Sequence, residues 1–415
     1  MTTLPGKPAP HLDVSALLNA SEAAAPAEGV DAVAAALGGM LGAKEVSFLI
    51  ADISGGALVR LTRAPGADQA GQRPAHERVP LSGSVQGEAL RTQQVLQASA
   101  ADGVWLYAPV TQRGDTVGVL ELLLDGPVEP AVVRAVSQAA HALAYVVIAD
   151  RRFSDLYEWG QRTSPLMLAA EIQRRLVPAS FTCEAGQFSL SGWFIPADEA
   201  GGDTFDYILD RETLHLSITD AMGHGVGAAQ LATLAVGSLR NSRRRGAGVV
   251  EMAQTASRAV DEHAGQDQFI TGQVLRLELT SGALEIVNAG HVAPLLVRDG
   301  VVENLALDAD PAFGIGPEMP YRVQHRQLEP GDRLVLLTDG MYERNAEAAQ
   351  IDKLLTTLTD LHPREAVQAM TAAVLKATEG SVLDDATALV LDWYGGPARE
   401  RGAKAGAGIG LASGS

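Results

Sequence analysis

The chain reads as an α+β protein, and three observations predict this. Runs with apolar residues at alternate positions come in pairs around short polar turns, the signature of antiparallel hairpins. Ala-rich segments with apolar residues at helical spacing flank these hairpins instead of alternating with single strands. The length of 415 residues leaves room for two or three domains with cores of their own.

Residues 1–27, rich in Pro and Ala, are expected to form a flexible leader with at most a short helix. Val33, Leu37 and Leu41 then recur at helical spacing. "EVSFLIADISGGALVRLTRA" reads as two strands around Ser54-Gly55-Gly56, and a short helix follows near Val85 to Leu90. "VWLYAPVTQRGDTVGVLELLLD" makes a further hairpin turning at Arg113-Gly114-Asp115, with a helix from Pro130 behind it. This layout, together with "YAPVTQRGDTVGVLEL", resembles a GAF domain over residues 28–150, which implies a sensor module. The Asn-Lys-x-Phe-Asp-Glu signature of cyclic-nucleotide binding is absent, and a purely structural dimerisation domain is the alternative. Val136, Ala139, Leu143, Val146 and Phe153 fit a heptad seam, so residues 151–178 are read as a helical connector and the chain as a homodimer. A helix lying on its own domain is the other reading of the same spacing. Thr163-Ser164-Pro165 breaks the pattern, and "LMLAAEIQRRLVP" forms the next helix. Residues 179–394 make the second domain, and the Gly/Ala-rich 395–415 is expected to be a disordered tail.

The acids of the second domain carry the chemistry. In "EAGGDTFDYILDRETLHLSITDAMGHG", Phe205, Tyr207 and Leu209 alternate before a polar turn, and Leu214, Leu216 and Ile218 alternate after it. Pairing Asp210 with Thr213 places Leu209 opposite Leu214 and Asp203 opposite Asp220. Directly opposed residues have Cβ atoms about 5 Å apart, and like charges there are destabilising. A hard divalent cation between them is one answer, and a solvated hairpin is the other. "RLVLLTDGMYE" runs an apolar strand into Asp339, and "SVLDDATALVLDW" sets Asp384 and Asp385 at the mouth of another. Carboxylates gathered this way raise one another's pKa values unless cations neutralise them. A two-metal centre that holds a bridging water is the economical reading. Gly223 and Gly225 suit a tight strand-to-helix passage, His224 is either structural or a proton relay, and His291 is read as a satisfied structural histidine. Asp206 either holds a water of the metal shell or makes a capping or turn hydrogen bond, and Asp385 is read as bonding a metal water and orienting Asp384. Arg243-Arg244-Arg245 either complements a helix end or docks an acidic or phosphorylated partner.

The formal net charge of −18 argues against nucleic acid or an anionic membrane as the main partner. One Cys, Cys183, rules out an internal disulfide or a multi-Cys zinc site. The N-terminus lacks an export pattern and no apolar run is read as approaching the roughly 20 residues that span a bilayer, so membrane insertion is not expected and a cytoplasmic protein is.

Five ordered motifs, "EAGGDTFDY", "ITDAMGHGVGAA", "VNAGHVAPLLV", "LLTDGMYE" and "DDATALVL", resemble the SpoIIE/RsbU-type branch of the PPM metal-dependent serine/threonine phosphatases across residues 165–394. "AAEIQRRLVP" is similar to the helix that opens that domain. The resemblance implies an αββα sandwich of two antiparallel sheets flanked by helices. It implies that Asp203 and Asp220, with the carbonyl of Ala221, hold one Mn²⁺ or Mg²⁺, and that Asp220, Asp339 and Asp384 hold another. It further implies a phosphorylated protein substrate, a STAS-domain anti-sigma factor antagonist. Thr204, the "DAMGHG" variant and Tyr342 depart from the family pattern without removing a ligand acid. A catalytically silent regulator and a small-molecule phosphoesterase are the alternatives.

Overall fold

The structure, a computed structural model, describes residues 12–53, 55–61, 77–162, 166–196, 201–263, 265, 268–342, 347–380, 382–397, 400–403 and 406–412. Two compact units result, Met1–Pro165 with Gly402–Ser415, and Leu166–Arg401. Ser54 and the expected break at Thr163-Ser164-Pro165 lie outside the described residues.

The first unit runs α1 (Val14–Ala23), α2 (Gly29–Leu41), β1 (Glu45–Ala51), β2 (Ala57–Arg60), β3 (Arg78–Pro80), α3 (Val85–Thr92), β4 (Leu96–Ala100), β5 (Gly103–Gln112), β6 (Asp115–Leu124), α4 (Pro130–Asp150) and α5 (Leu156–Gly160). Its strands form one antiparallel sheet in the order β3-β2-β1-β6-β5-β4. Strand alternation sorts the two faces. Phe48, Ile50, Leu120 and Leu122 pack with Leu17, Val33, Val136 and Leu143 of the helices, while Leu49, Leu58 and Val119 pack with Leu90 of α3 on the other side. The β5–β6 turn carries Arg113 and Gly114 at φ 49° and 81°, as a tight hairpin requires.

Five expectations change here. The leader contains the short helix that the sequence allows, α1, but its Leu17 is buried in the core and not loose. The heptad positions Val136, Ala139, Leu143 and Val146 are consumed by the core of their own unit, and only Phe153, 75% exposed, lies outside it. Among the described residues no free-standing connector is seen, since α5 belongs to the first unit and α6 opens the second. Helix α4 is long and apolar enough by length and composition to cross a bilayer, contrary to the reading of the sequence, but eight of its residues are buried in this unit. Part of the expected disordered tail is also packed. Gly406 donates to His141 Nδ1 (2.9 Å) and accepts from Gly114 N–H (3.1 Å), with Ala407 buried beside them.

The second unit runs α6 (Leu168–Leu176), β7 (Thr182–Glu184), β8 (Phe188–Ile195), β9 (Asp203–Leu209), β10 (Thr213–Ala221), α7 (Gly225–Arg244), α8 (Val249–His263), β11 (Ile270–Glu278), β12 (Ala283–Ala289), β13 (Leu295–Arg298), β14 (Val301–Asn304), β15 (Gln324–Gln327), β16 (Arg333–Leu337), α9 (Ile351–Thr357), α10 (Pro363–Ala377) and β17 (Ala386–Trp393). Two antiparallel sheets form, β15-β12-β11-β10-β9 and β14-β13-β16-β17-β8-β7. Leu214, Leu216, Ile218, Leu275 and Leu277 of the first meet Leu334, Leu336, Leu389 and Leu391 of the second. The opposite faces pack on helices. Val274 and Val287 meet α7 and α8, and Val335, Leu337, Ala388 and Val390 meet α9 and α10. The result is four layers, helices, sheet, sheet and helices, as the period-two pattern of both sheets dictates.

Replacing Leu143 with Ala should lower the unfolding free energy by about 2–5 kcal/mol. The denaturation midpoint should not depend on protein concentration. A midpoint that moves with concentration would return α4 to the role of a dimer seam.

Candidate active site

The β9–β10 hairpin adopts the expected register. Asp210 N–H donates to Thr213 O (2.8 Å), Leu209 lies opposite Leu214, and Asp203 lies opposite Asp220. Asp203 shares its strand face with Phe205, and Asp220 with Leu214, Leu216 and Ile218. Both carboxylates therefore point into the space between the sheets, at the end where the apolar filling stops.

The second sheet supplies the remaining acids at the same end. Strand β16 is buried throughout and leads into the turn Asp339–Met341, and Asp384 and Asp385 immediately precede β17. That turn passes so close to the Asp385 backbone that a Cβ on Gly340 would lie 2.1 Å from the Asp385 carbonyl oxygen, which only glycine avoids. Asp385 is buried, and its Oδ2 accepts from Gln173 Nε2 (2.7 Å) and from the N–H groups of Gly201 (3.1 Å), Gly202 (3.2 Å) and Asp203 (3.4 Å). It thereby fixes the start of β9. Thr338 donates its hydroxyl to Asp203 Oδ2 (2.6 Å) and accepts from Thr387 N–H (2.9 Å), tying the carboxylate of one sheet to two strands of the other.

Gln173 of α6, fully buried, also donates to Asp203 O (2.8 Å). The sequence reading assigned it no role. Its signal was a polar residue on the helix face that buries Ala169 and Ala170.

The charges are strained by their surroundings. Burial, followed by Asp220 and Asp385, holds Asp203 well above the usual carboxylate range, and the Thr338 hydrogen bond opposes this. Burial, then Asp339, Asp384 and Asp385, pushes Asp220 up to about 7. Asp384 is raised by burial first, with its hydrogen bond from the Asp385 N–H (2.8 Å) and nearby His224 pulling the other way. The protein alone does not compensate this negative charge.

A donor set of hard oxygens with unbalanced charge fits Mg²⁺ or Mn²⁺ in its chemistry. Among the described residues, however, no three His, Cys, Asp or Glu side chains stand close enough together to form a finished metal cage. Asp339 and Asp384 are exposed at the rim, whereas Asp203 is buried and oriented by Thr338.

Not every candidate joins the cluster. Asp206 lies three residues from Asp203, hence on the opposite strand face, and pairs there with Arg240 (2.9 Å) and Arg243 (3.1 Å) of α7. The proposed role in a metal shell is thereby corrected, and Arg243 is a tether and not a free helix end. Gly223 and Gly225 have φ of 92° and 74°, and exposed His224 directly precedes α7. Glu199 and Ala200 of the first motif lie outside the described residues.

His291 is buried and makes two side-chain contacts. Its Nε2 faces Leu337 O (3.1 Å) and its Nδ1 faces Thr271 Oγ1 (2.8 Å). A carbonyl only accepts, so Nε2 carries the proton and Nδ1 accepts from the hydroxyl. Burial pushes the ring down to about 4, which keeps it neutral. Thr271 is the β11 neighbour of Asp220, so this histidine links the two sheets beside the acids.

Removing the Gln173 amide by substitution with Ala should cost about 1–3 kcal/mol by leaving Asp385 short of a donor. An unchanged denaturation curve would contradict the clamp. For Asp220, the folded chain holds the proton more tightly than the unfolded one, where the ordinary value is 3.8. In EDTA, its contribution to stability is therefore fully present below that value and is lost as pH rises to about 7. Thermal melts across this range should slope less in Asp220→Asn than in the parent, and parallel slopes would contradict the buried charge.

Residues 210–394 match the family model of Stage II sporulation protein E (SpoIIE), a span that includes Asp220, Asp339 and Asp384 but not Asp203. Phosphoserine phosphatase RsbU of Bacillus subtilis (strain 168) is 24% identical over 240 residues, covering 55% of this chain and 70% of that protein. Phosphoserine phosphatase RsbP of the same organism is 24% identical over 195 residues, 46% of this chain and 48% of that protein. The chain thus spans about half the length of RsbP. Among solved structures, the RsbU and RsbW domains of Rv1364c from Mycobacterium tuberculosis align with a TM-score of 0.46 at 26% identity, over 53% of this chain and 63% of that one. Residues 210–394 are thus similar to the SpoIIE family, and the chain over this region to the phosphoserine phosphatases RsbU and RsbP.

Proposed function

We propose that the second unit is a metal-dependent protein phosphatase that hydrolyses phosphoserine or phosphothreonine on a regulatory protein. The observation that carries this reading is the opposition of Asp203 and Asp220 between two sheets, with Asp339, Asp384 and Asp385 at the same end. Asp203 and Asp220, with the Ala221 carbonyl, would hold one divalent cation, Mg²⁺ or Mn²⁺, and Asp220, Asp339 and Asp384 another. Bound there, the cations supply the Lewis acidity that activates water and offsets charge growing at phosphorus.

The protein's own part is orientation. Thr338 fixes the Asp203 carboxylate, and Asp385 with Gln173 fixes the backbone beneath it. His291 holds β16, and so the approach to Asp339, against the strand beside Asp220. Water adds to phosphorus as the bond to the seryl or threonyl oxygen breaks, so no Cys or Ser nucleophile is needed.

The homology to RsbU and RsbP supports a phosphoprotein substrate in sigma-factor regulation, and a STAS-domain anti-sigma factor antagonist is the partner of this proposal. The first unit, one antiparallel sheet flanked by helices, is proposed as a GAF-like sensor, and the cytoplasm as the site of action.

With Mn²⁺, the full chain should release phosphate from a phosphorylated STAS protein, and Asp220→Asn should lower kcat by about a hundred- to a thousandfold, on the scale of a lost electrostatic stabiliser. Cleavage of p-nitrophenyl phosphate and small metabolites alone would favour a small-molecule phosphoesterase. No cleavage of any substrate would favour a silent regulator, and near-normal turnover by the variant would refute the shared-ligand role.

A further inference from the structure

The far end of the β9–β10 hairpin carries the opposite charge. Six strand steps lead from Asp203 to Leu209, a distance of about 20 Å. There, on the helix side of the sheet, Ile208, His215 and Arg276 lie side by side across three strands. The end of α7 and the turn into α8 close over this row and leave a cleft of about 700 Å³. Four arginines line it, Arg211, Arg243, Arg244 and Arg276, against two acids, Asp210 and Glu212.

Two of the arginines are already engaged, Arg243 with Asp206 (3.1 Å) and Arg276 with Glu285 (3.4 Å). Among the described residues Arg211 and Arg244 form no ion pair. His215 reports the balance of the local field. Burial lowers its affinity for a proton, Arg243 and Arg276 lower it further, and Asp210 opposes them with less effect. Its Nδ1 is buried with no hydrogen-bond partner. Two guanidinium groups, Arg211 and Arg244, are therefore left without an ion pair among the described residues, in a chain whose formal net charge is −18.

The rim is apolar. Ile208 and Leu209 are 45% and 42% exposed at the end of β9, an edge strand of its sheet. Edge strands accept added strands, and consecutive apolar residues offer contacts on both faces of one. We propose that this cleft docks an extended acidic segment of a protein partner, with its carboxylates against Arg211 and Arg244 and its apolar side chains against Ile208 and Leu209. The spread of the arginines along the cleft, with Asp210 and Glu212 between them, fits carboxylates distributed along a chain better than one compact phosphate. That the segment belongs to the substrate rests on the phosphatase reading, and the docking itself does not. Tethering a substrate some 20 Å from the acids would raise its local concentration there without touching the reacting atoms.

The test is fluorescence anisotropy of the full chain with a fluorescein-labelled peptide of alternating Glu and Leu. Binding should weaken as salt is raised and fall roughly tenfold or more in Arg211→Glu/Arg244→Glu. Arg211→Gln/Arg244→Gln, which removes charge without reversing it, covers a failure of the first variant to fold and should give a smaller loss in the same direction. Absent binding, or equal binding by parent and variants, overturns the proposal. So does displacement of the peptide by low concentrations of pyrophosphate, which would mark a small-anion site. In a parallel assay, p-nitrophenyl phosphate turnover with Mn²⁺ should be unchanged in both variants while KM for a phosphoprotein rises. Loss of all turnover in the parent would sink the phosphatase reading and leave the anisotropy result standing.

Discussion

Two aspartates are forced to face each other across a hairpin, on the side that looks into the gap between two sheets. Everything else at that end of the second unit is arranged around them. The strand period that buries Leu214, Leu216 and Ile218 brings Asp220 to the same face, and Asp203 follows from the register. A shift by one residue would expose the whole apolar set, so the hydrophobic core itself enforces the contact between like charges. Burial keeps both carboxylates reluctant to ionise, and the acids of the second sheet reinforce the effect.

Neutral donors from several directions hold this cluster in place. Thr338, Gln173 and the backbone of residues 201–203 bind carboxylate oxygens, and His291 joins the two sheets beside them. These contacts lie between elements far apart in sequence. They explain why the acids are preorganised although their charges oppose it. At the other end of the same hairpin, the polarity reverses into an arginine-lined cleft. One supersecondary element thus presents two chemically opposite surfaces, separated by the length of its strands.

Much of this was legible in the sequence where the signal is local. Alternation gave the hairpins and the turn at Arg113-Gly114, and a single turn pairing fixed the opposition of Asp203 and Asp220. The same parity argument excludes Asp206, three positions along, from the cluster, and the sequence reading did not apply it. Other features depend on tertiary context. A heptad pattern cannot say whether its face meets a second chain or its own sheet, and in α4 it meets the sheet. Composition marked the C-terminal segment as unstructured, but backbone hydrogen bonds from Gly406 hold part of it. Gln173 lies more than two hundred residues from Asp385, so no spacing rule connects them.

The central claim is that the opposed pair, Asp203 and Asp220, holds protons that a cation displaces. Calorimetric titration of the full chain with Mn²⁺ near pH 6.5, in two buffers of different ionisation enthalpy, tests it most directly. The account predicts binding accompanied by net proton release, seen as a difference in apparent enthalpy between buffers that shrinks in Asp203→Asn. Identical enthalpies in the two buffers, or no binding at all, would contradict it.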